Sequence, residues 1–108
     1  MFLRVVVAAT LLAATQLPAR SEPNWQDVLP AYYLIGSVTR NCKNITFTPD
    51  ELAHVRRAIA FAEAKSGLAK AEADEIAKDM EESIRDNPEI CPTISKNVHD
   101  SVKAMQVE

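Results

Sequence analysis

Three side chains in the middle of the chain could bind a ligand from one face of a helix: His54, Arg57 and Phe61. Their spacing of i, i+3 and i+7 places them on the same side of an α-helix. A cation beside an aromatic ring could hold an anionic or aromatic group. The alternative, which is the commoner arrangement for aromatic residues at helical spacing, is that Phe61 packs in the core while the other two residues lie in solvent.

Other aromatic residues lie earlier in the chain and bear on the same choice. Trp25, Tyr32 or Tyr33 could cover Phe61 if that ring is a core residue. Tyr32 and Tyr33 flank the apolar stripe of a predicted helix, so they could instead extend a binding surface. The predicted partner-binding group therefore consists of five residues, His54, Arg57, Phe61, Tyr32 and Tyr33.

No catalytic or cofactor site is predicted. His99, Asp100 and Ser101 have the residue types of a triad, but successive residues of a helix point in different directions, whereas a triad must converge. Motifs for phosphate, dinucleotide and zinc-protease sites are missing. The two cysteines with His54 and His99 lack the spacing of a zinc site, so neither a metal nor an enzyme is expected. We expect a protein that is not an enzyme.

An acidic segment, residues 70–86, carries seven carboxylates against three basic residues. Such a face could dock a basic partner or hold a cation, although a solvated exterior is the simpler interpretation. It contains no calcium-loop pattern of the D-x-D-x-D-G type.

The N-terminal residues have the layout of a secretory signal peptide. Arg4 is followed by an apolar run, Val5 to Leu12, and then by possible cleavage positions after Ala19 or Ser21. The run is shorter than the roughly 20 residues that span a bilayer, so a retained anchor is the less favoured alternative. We therefore predict a signal peptide at 1–21, a small helical domain at 22–108, no membrane span after cleavage, and a periplasmic or secreted location.

The two cysteines, Cys42 and Cys91, both belong to the predicted mature chain. In an oxidising compartment an even number of cysteines indicates disulfide bonding, and two cysteines allow one intramolecular pair. Closing a loop of about 50 residues would stabilise the fold by about 4 kcal/mol on the chain-entropy model. That is a large share of the stability of so small a domain.

The charge of the chain limits the classes of partner. Removing Arg4 and Arg20 with the leader changes the formal net charge from −3 to −5. Nucleic-acid binding needs a basic face, and an anionic membrane surface would repel this chain, so neither is expected.

Local signals predict an all-α fold. Thr48 and Glu51 have capping-box spacing, Pro49 suits the first helical position, and Gly67 can end the helix. Apolar or small residues on more than one side of this helix predict that it lies between neighbours. Further helices are predicted from Ala31 to Cys42, opened by Pro30, from about Lys70 to Asp86, and from Pro92 to about Met105. These segments predict a small antiparallel bundle of about four helices, clamped by one disulfide.

In its size, its export signal and its Cys42…Cys91 separation the chain resembles the periplasmic acid-stress chaperones of the HdeA type. That resemblance implies a helical fold with one long-range disulfide and a bundle that loosens in acid. Two hypotheses follow. The first is a small exported, non-enzymatic protein-interaction module, such as an inhibitor or accessory subunit, with an unknown protein partner in the cell envelope. The second is an acid-stress periplasmic chaperone.

Overall fold

The computed structural model describes residues 23–107, and within that range it is helical without strands. Five helices follow one another: α1 (Trp25–Asn41), α2 (Pro49–Ser66), α3 (Lys70–Asp86), α4 (Ile90–Ile94) and α5 (Val98–Ala104). The predicted all-α bundle with one disulfide is confirmed. The predicted signal peptide, residues 1–21, lies outside the described residues. None of the helices in the described range is both long and apolar enough to cross a bilayer.

Helix α2 begins and ends where its local signals predicted. Thr48 Oγ1 accepts from the Glu51 N–H at 3.0 Å, and the Thr48 N–H donates to the Glu51 carboxylate at 2.9 Å. Pro49 occupies the first helical position, and Gly67 closes the helix with φ of 69°. A residue with a side chain would be strained in that left-handed conformation, which explains glycine at this position.

Helix α1 begins six residues earlier than predicted, and Pro30 lies inside it. The Asn24 side chain caps the helix by accepting from the Gln26 N–H at 3.1 Å. Trp25 and Leu29 are one turn apart and buried, so their burial stabilises turns on both sides of Pro30. Proline there removes one intrahelical hydrogen bond. Burying two large apolar side chains offsets that loss, at about 1.5–3 kcal/mol for a side chain such as leucine.

Helix α2 lies between α1 and α5, but α1 has more neighbours. It packs against both α2 and α3, and it also touches α5. Its buried arc is consequently wider than the predicted stripe and includes Tyr32, Tyr33 and Ser37, while Ala31 is exposed. Gly36 allows close approach of α2, because a Cβ at this position would lie 3.0 Å from Ile59 Cδ1.

The last predicted helix is divided into α4 and α5, which are separated by a turn at residues 95–97. The Ser95 hydroxyl donates back to the Pro92 carbonyl at 2.9 Å, so a polar side chain satisfies the backbone where α4 ends. Cys91 is buried in α4 and is bonded to Cys42 at the end of α1, with Cα atoms 5.5 Å apart. The predicted disulfide is confirmed.

Buried apolar residues form two clusters along α1. The second cluster surrounds the disulfide and consists of Val38, Cys42, Ile84, Cys91 and Val98. The first cluster lies towards the start of α1 and is made of Trp25, Leu29, Tyr32, Tyr33, Val55, Ala58, Ala62, Ala73, Val102 and Met105. Of the predicted binding residues, Tyr32 and Tyr33 belong to the first cluster and Phe61 packs against it.

Candidate functional site

An open groove of about 620 Å³ lies on the outer side of α2 beside the first cluster. Four residues line it, Arg57, Ala60, Phe61 and Val107, and we call it the Phe61 groove. Arg57 and Ala60 are exposed, and Phe61 and Val107 are half-buried. The groove thus has a largely apolar floor with a guanidinium group at its edge.

The Phe61 ring joins the core and the groove. It meets the Trp25 ring edge to face, with centroids 5.2 Å apart, and Trp25 in turn meets Tyr32 at 6.4 Å. Lys65 Nζ lies 5.7 Å from the Phe61 centroid, within the range of a cation–π interaction. Packing of Phe61 against Trp25, one of the two arrangements considered from the sequence, is therefore observed. Because the ring is only half-buried, one part of it still faces the groove, which Arg57 also lines.

Tyr32 and Tyr33 belong to the core, with 9% and 7% of their surfaces exposed. The Tyr33 hydroxyl donates to the Glu63 carboxylate, and burial together with that carboxylate raises the pKa of Tyr33 above its usual value. The Tyr32 hydroxyl accepts from the Gln106 N–H at 2.7 Å. The structure thus places both predicted residues in the core, and their role in partner binding stays a prediction. Their hydroxyl groups have protein partners, which permits burial of the whole side chain.

His54 is half-buried and is engaged by the end of the chain. Its Nε2 lies 2.9 Å from the Met105 carbonyl oxygen, so this nitrogen must carry the proton and donate. His54 therefore does not line the Phe61 groove, although it lies on the same helix as Arg57. Of the five predicted residues, the structure brings Arg57 and Phe61 together in the groove and ties His54 and Tyr32 to the C-terminal residues.

The sequence interpretation missed these C-terminal residues, 105–107, which we call the tail. The predicted last helix ends at about Met105, but the Met105 backbone is extended, with φ of −66° and ψ of 132°. Met105 is buried and Val107 lines the Phe61 groove, while Gln106 between them is exposed. Such alternation is the sequence signal of an extended segment, but three residues are too few to detect it.

Two carboxylates away from the groove connect separate elements. Glu81 of α3 accepts from Arg40 and, at 2.8 Å, from the Asn41 side chain, and the Arg40 contact foremost lowers the pKa of Glu81. Glu51 accepts the Thr48 N–H and lies 2.6 Å from His99 Nδ1 of α5; these two contacts, in that order, lower the pKa of Glu51. Both carboxylates therefore stabilise the fold most strongly in their charged form.

The candidate metal and catalytic residues have other contacts in the described part of the chain. Residues 23–107 contain no cluster of three or more His, Cys, Asp or Glu side chains placed to hold an ion. His99 contacts Glu51 and the Phe47 ring, whereas Asp100 and Ser101 are exposed beyond it. On the acidic helix α3, Glu72 accepts the Ala69 N–H and Asp74 pairs with Lys70, so some of its carboxylates serve the helix itself.

Comparison with known proteins gives no match: no protein-family model, no curated protein and no solved structure is similar to this chain. The chemistry of the site must then be taken from its own residues. An apolar ring that shares a groove with a guanidinium group suits a ligand that combines an apolar group with a negative charge.

Proposed function

We propose that this protein is a small exported interaction module, without enzymatic activity, that binds a protein partner in the cell envelope through the Phe61 groove. The observation that carries the proposal is the half-buried Phe61 ring, which lines the groove together with Arg57 and has Lys65 Nζ 5.7 Å from its centroid. The Cys42–Cys91 disulfide is compatible with an oxidising compartment, which agrees with the predicted export.

The groove favours a particular chemistry in the partner. Its apolar floor suits an aliphatic or aromatic side chain, and the planar guanidinium of Arg57 can form two parallel hydrogen bonds with a carboxylate. The chain as a whole is acidic, so two cations on one helix face give a local contrast that selects an acidic rather than a basic segment. The expected partner segment is therefore apolar with an acidic residue close by.

Reversing the charge of Arg57 tests this proposal. We expect Arg57→Glu to reduce capture of envelope proteins about tenfold or more, because a carboxylate there would repel the acidic partner. The matched control is Arg56→Glu, since Arg56 is the adjacent exposed residue and lines a different groove, between α1 and α2. Capture is measured by quantitative mass spectrometry on an envelope extract, with helicity checked by circular dichroism. Equal capture by the two variants would overturn the proposal.

A substitution at Phe61 needs more care, because its ring also packs against Trp25. Phe61→Ala would remove core contacts and could cost about 3–5 kcal/mol of stability if the site behaved as a full core position. Phe61→Leu keeps apolar volume and removes the ring, so it separates loss of binding from loss of folding. We expect this variant to stay folded and to lose part of its capture.

The acid-stress chaperone is the second candidate, and the inter-element carboxylates Glu51 and Glu81 favour it. Protonation of both in acid would weaken the contacts of α2 with α5 and of α3 with α1, while the whole chain becomes cationic. The measurement is binding of a fluorescent dye to apolar surface, together with protection of client proteins, at about pH 3. A protein that stays closed and gives no protection there is not an acid chaperone.

A further inference from the structure

The tail lies across the first two helices in the manner of a bound peptide. α5 ends at Ala104, and from Met105 the backbone is extended. Met105 is 4% exposed and packs in the first cluster, while Val107 reaches the Phe61 groove. The side chains of alternate residues therefore enter the protein, which is the usual arrangement when an extended segment is recognised.

Two side chains hold the tail through its backbone. His54 Nε2–H donates to the Met105 carbonyl at 2.9 Å, and the Tyr32 hydroxyl accepts from the Gln106 N–H at 2.7 Å. These hydrogen bonds use main-chain groups that nearly every residue carries, so they do not depend on the sequence of the tail. His54 and Tyr32 come from different helices, α2 and α1, and together they form a seat for two successive backbone groups.

We infer that this seat and the adjoining Phe61 groove form one binding site for an extended segment of a partner protein. In this structure the chain's own tail occupies the seat, and its Val107 lines the groove. The segment would carry a large apolar side chain in the Met105 position and an aliphatic one two residues later. The inference deepens the proposed function and rests on it, because it names the form of the partner and adds a competitor for the site.

The position of the tail makes its displacement feasible. Only residues after Ala104 need to move, because α5 itself is held by buried Val98 and Val102. The short tether gives the tail an effective concentration of the order of millimolar, so a partner segment must add contacts of its own. A carboxylate facing Arg57, as the proposed function requires, would supply such a contact. A weakly binding segment would therefore not displace the tail, whereas a segment that also contacts the groove would displace it.

A single substitution can loosen the tail in the full-length protein. Gln106→Pro removes the N–H that donates to Tyr32, and the φ and ψ of Met105, −66° and 132°, suit a residue before proline. Gln106→Ala is the matched control, because it changes the exposed side chain and keeps the N–H. The probe is a synthetic peptide with the sequence of residues 103–108, KAMQVE, titrated against each protein and followed by NMR amide shifts.

We expect Gln106→Pro to bind this peptide about tenfold more tightly than wild type or Gln106→Ala, which is the effect of one net hydrogen bond lost from the competing tail. The peptide KAMPVE, which lacks the donor, should bind the Gln106→Pro protein about tenfold more weakly than KAMQVE does. Adding Tyr32→Phe to Gln106→Pro keeps the buried ring and removes the acceptor, so the gain should disappear. Shifts should centre on residues around His54 and Phe61.

Three results would overturn the inference. Equal binding of the peptide to all the proteins would show that the tail does not compete for the site. Shifts confined to another surface would place the peptide elsewhere. A dimer of Gln106→Pro that exchanges tails and excludes the peptide would show that the seat serves a second copy of the chain.

The two proposals fail in different ways. If Arg57→Glu leaves partner capture unchanged, the proposed function falls, whereas the peptide titration still reports whether the seat accepts an extended segment. If Arg57→Glu abolishes capture but Gln106→Pro gains no peptide affinity, the proposed function stands and the tail has no competing role.

Discussion

Glu81 of α3 accepts side-chain hydrogen bonds from two residues at the end of α1. Its carboxylate accepts from Arg40 and Asn41, and the Asn41 amide also donates to the Ser37 carbonyl at 2.9 Å. A carboxylate can accept several hydrogen bonds at once, whereas an amide offers one oxygen and presents donors at its other end. Only the charged form of Glu81 therefore satisfies both neighbours, which is the reason that its pKa is lowered.

Replacing Glu81 by Gln should destabilise the protein at neutral pH by about 1 kcal/mol, a value reduced by the exposure of Arg40. The pKa of Glu81 in the folded protein lies below the unfolded value of about 4.3. Its stabilisation is therefore complete above that value and is lost as the pH falls through the folded pKa. The difference between wild type and variant should vanish in acid. Urea unfolding of wild type and variant at neutral and at acidic pH measures this difference in stability.

The control is Glu82→Gln, one residue further along α3, where the described structure shows no hydrogen-bond or ion-pair partner for the carboxylate. This variant should keep the stability of wild type at neutral pH. A loss for Glu81→Gln that persists unchanged in strong acid would contradict the assigned role of its charge.

The sequence predicted those helix boundaries that depend on interactions between residues close together in the chain. The bounds of α2 follow from Thr48, Glu51 and Gly67, whose interactions stay within a few residues. The start of α1 was missed because Pro30 is a strong local signal for a helix start, whereas burial of Trp25 and Leu29 depends on distant residues. Local periodicity also cannot show which helix lies between the others.

The candidate site shows the same division. The shared helix face of Arg57 and Phe61 was predicted correctly, since it depends only on spacing along α2. The burial of the two tyrosines could not be predicted, because a tyrosine is buried or exposed according to whether its hydroxyl finds a partner. Those partners, Glu63 and the Gln106 N–H, lie 30 and 74 residues away in sequence. The tail could not be foreseen for the same reason.

The capping box gives a prediction for α2 as an element. Thr48→Ala removes the side-chain acceptor for the Glu51 N–H, and we expect a loss of about 1 kcal/mol in the free energy of unfolding. Thr46→Ala is the matched control, because Thr46 is an exposed residue of the preceding connection and caps no helix. Chemical denaturation of both variants measures the difference. Equal stability of the two variants would mean that the cap contributes nothing to α2.

The disulfide and the candidate site belong to different clusters, and the C-terminal part of the chain connects them. Cys91 fixes α4 in the second cluster, α5 runs from Val98 in that cluster to Val102 in the first, and the tail follows. α4 and α5 have five and seven residues, too few for a stable isolated helix. Their order therefore depends on the disulfide at one end and on the burial of Val98 and Val102 of α5 at the other.

Removing the bridge by Cys42→Ala with Cys91→Ala should lower the free energy of unfolding by about 4 kcal/mol on the chain-entropy model. The loss of stability should also be concentrated in one part of the molecule. Amide hydrogen exchange should rise first in residues 90–107, because these depend on the bridge, while α1, α2 and α3 keep their mutual packing. Loosening of α5 should free the tail as well, so the double variant should bind KAMQVE more tightly than oxidised wild type. Wild type treated with a reductant provides an independent route to the same state. Exchange that rises equally in all five helices would show instead that the bridge does not hold residues 90–107 locally, and the tail seat would then be independent of the disulfide.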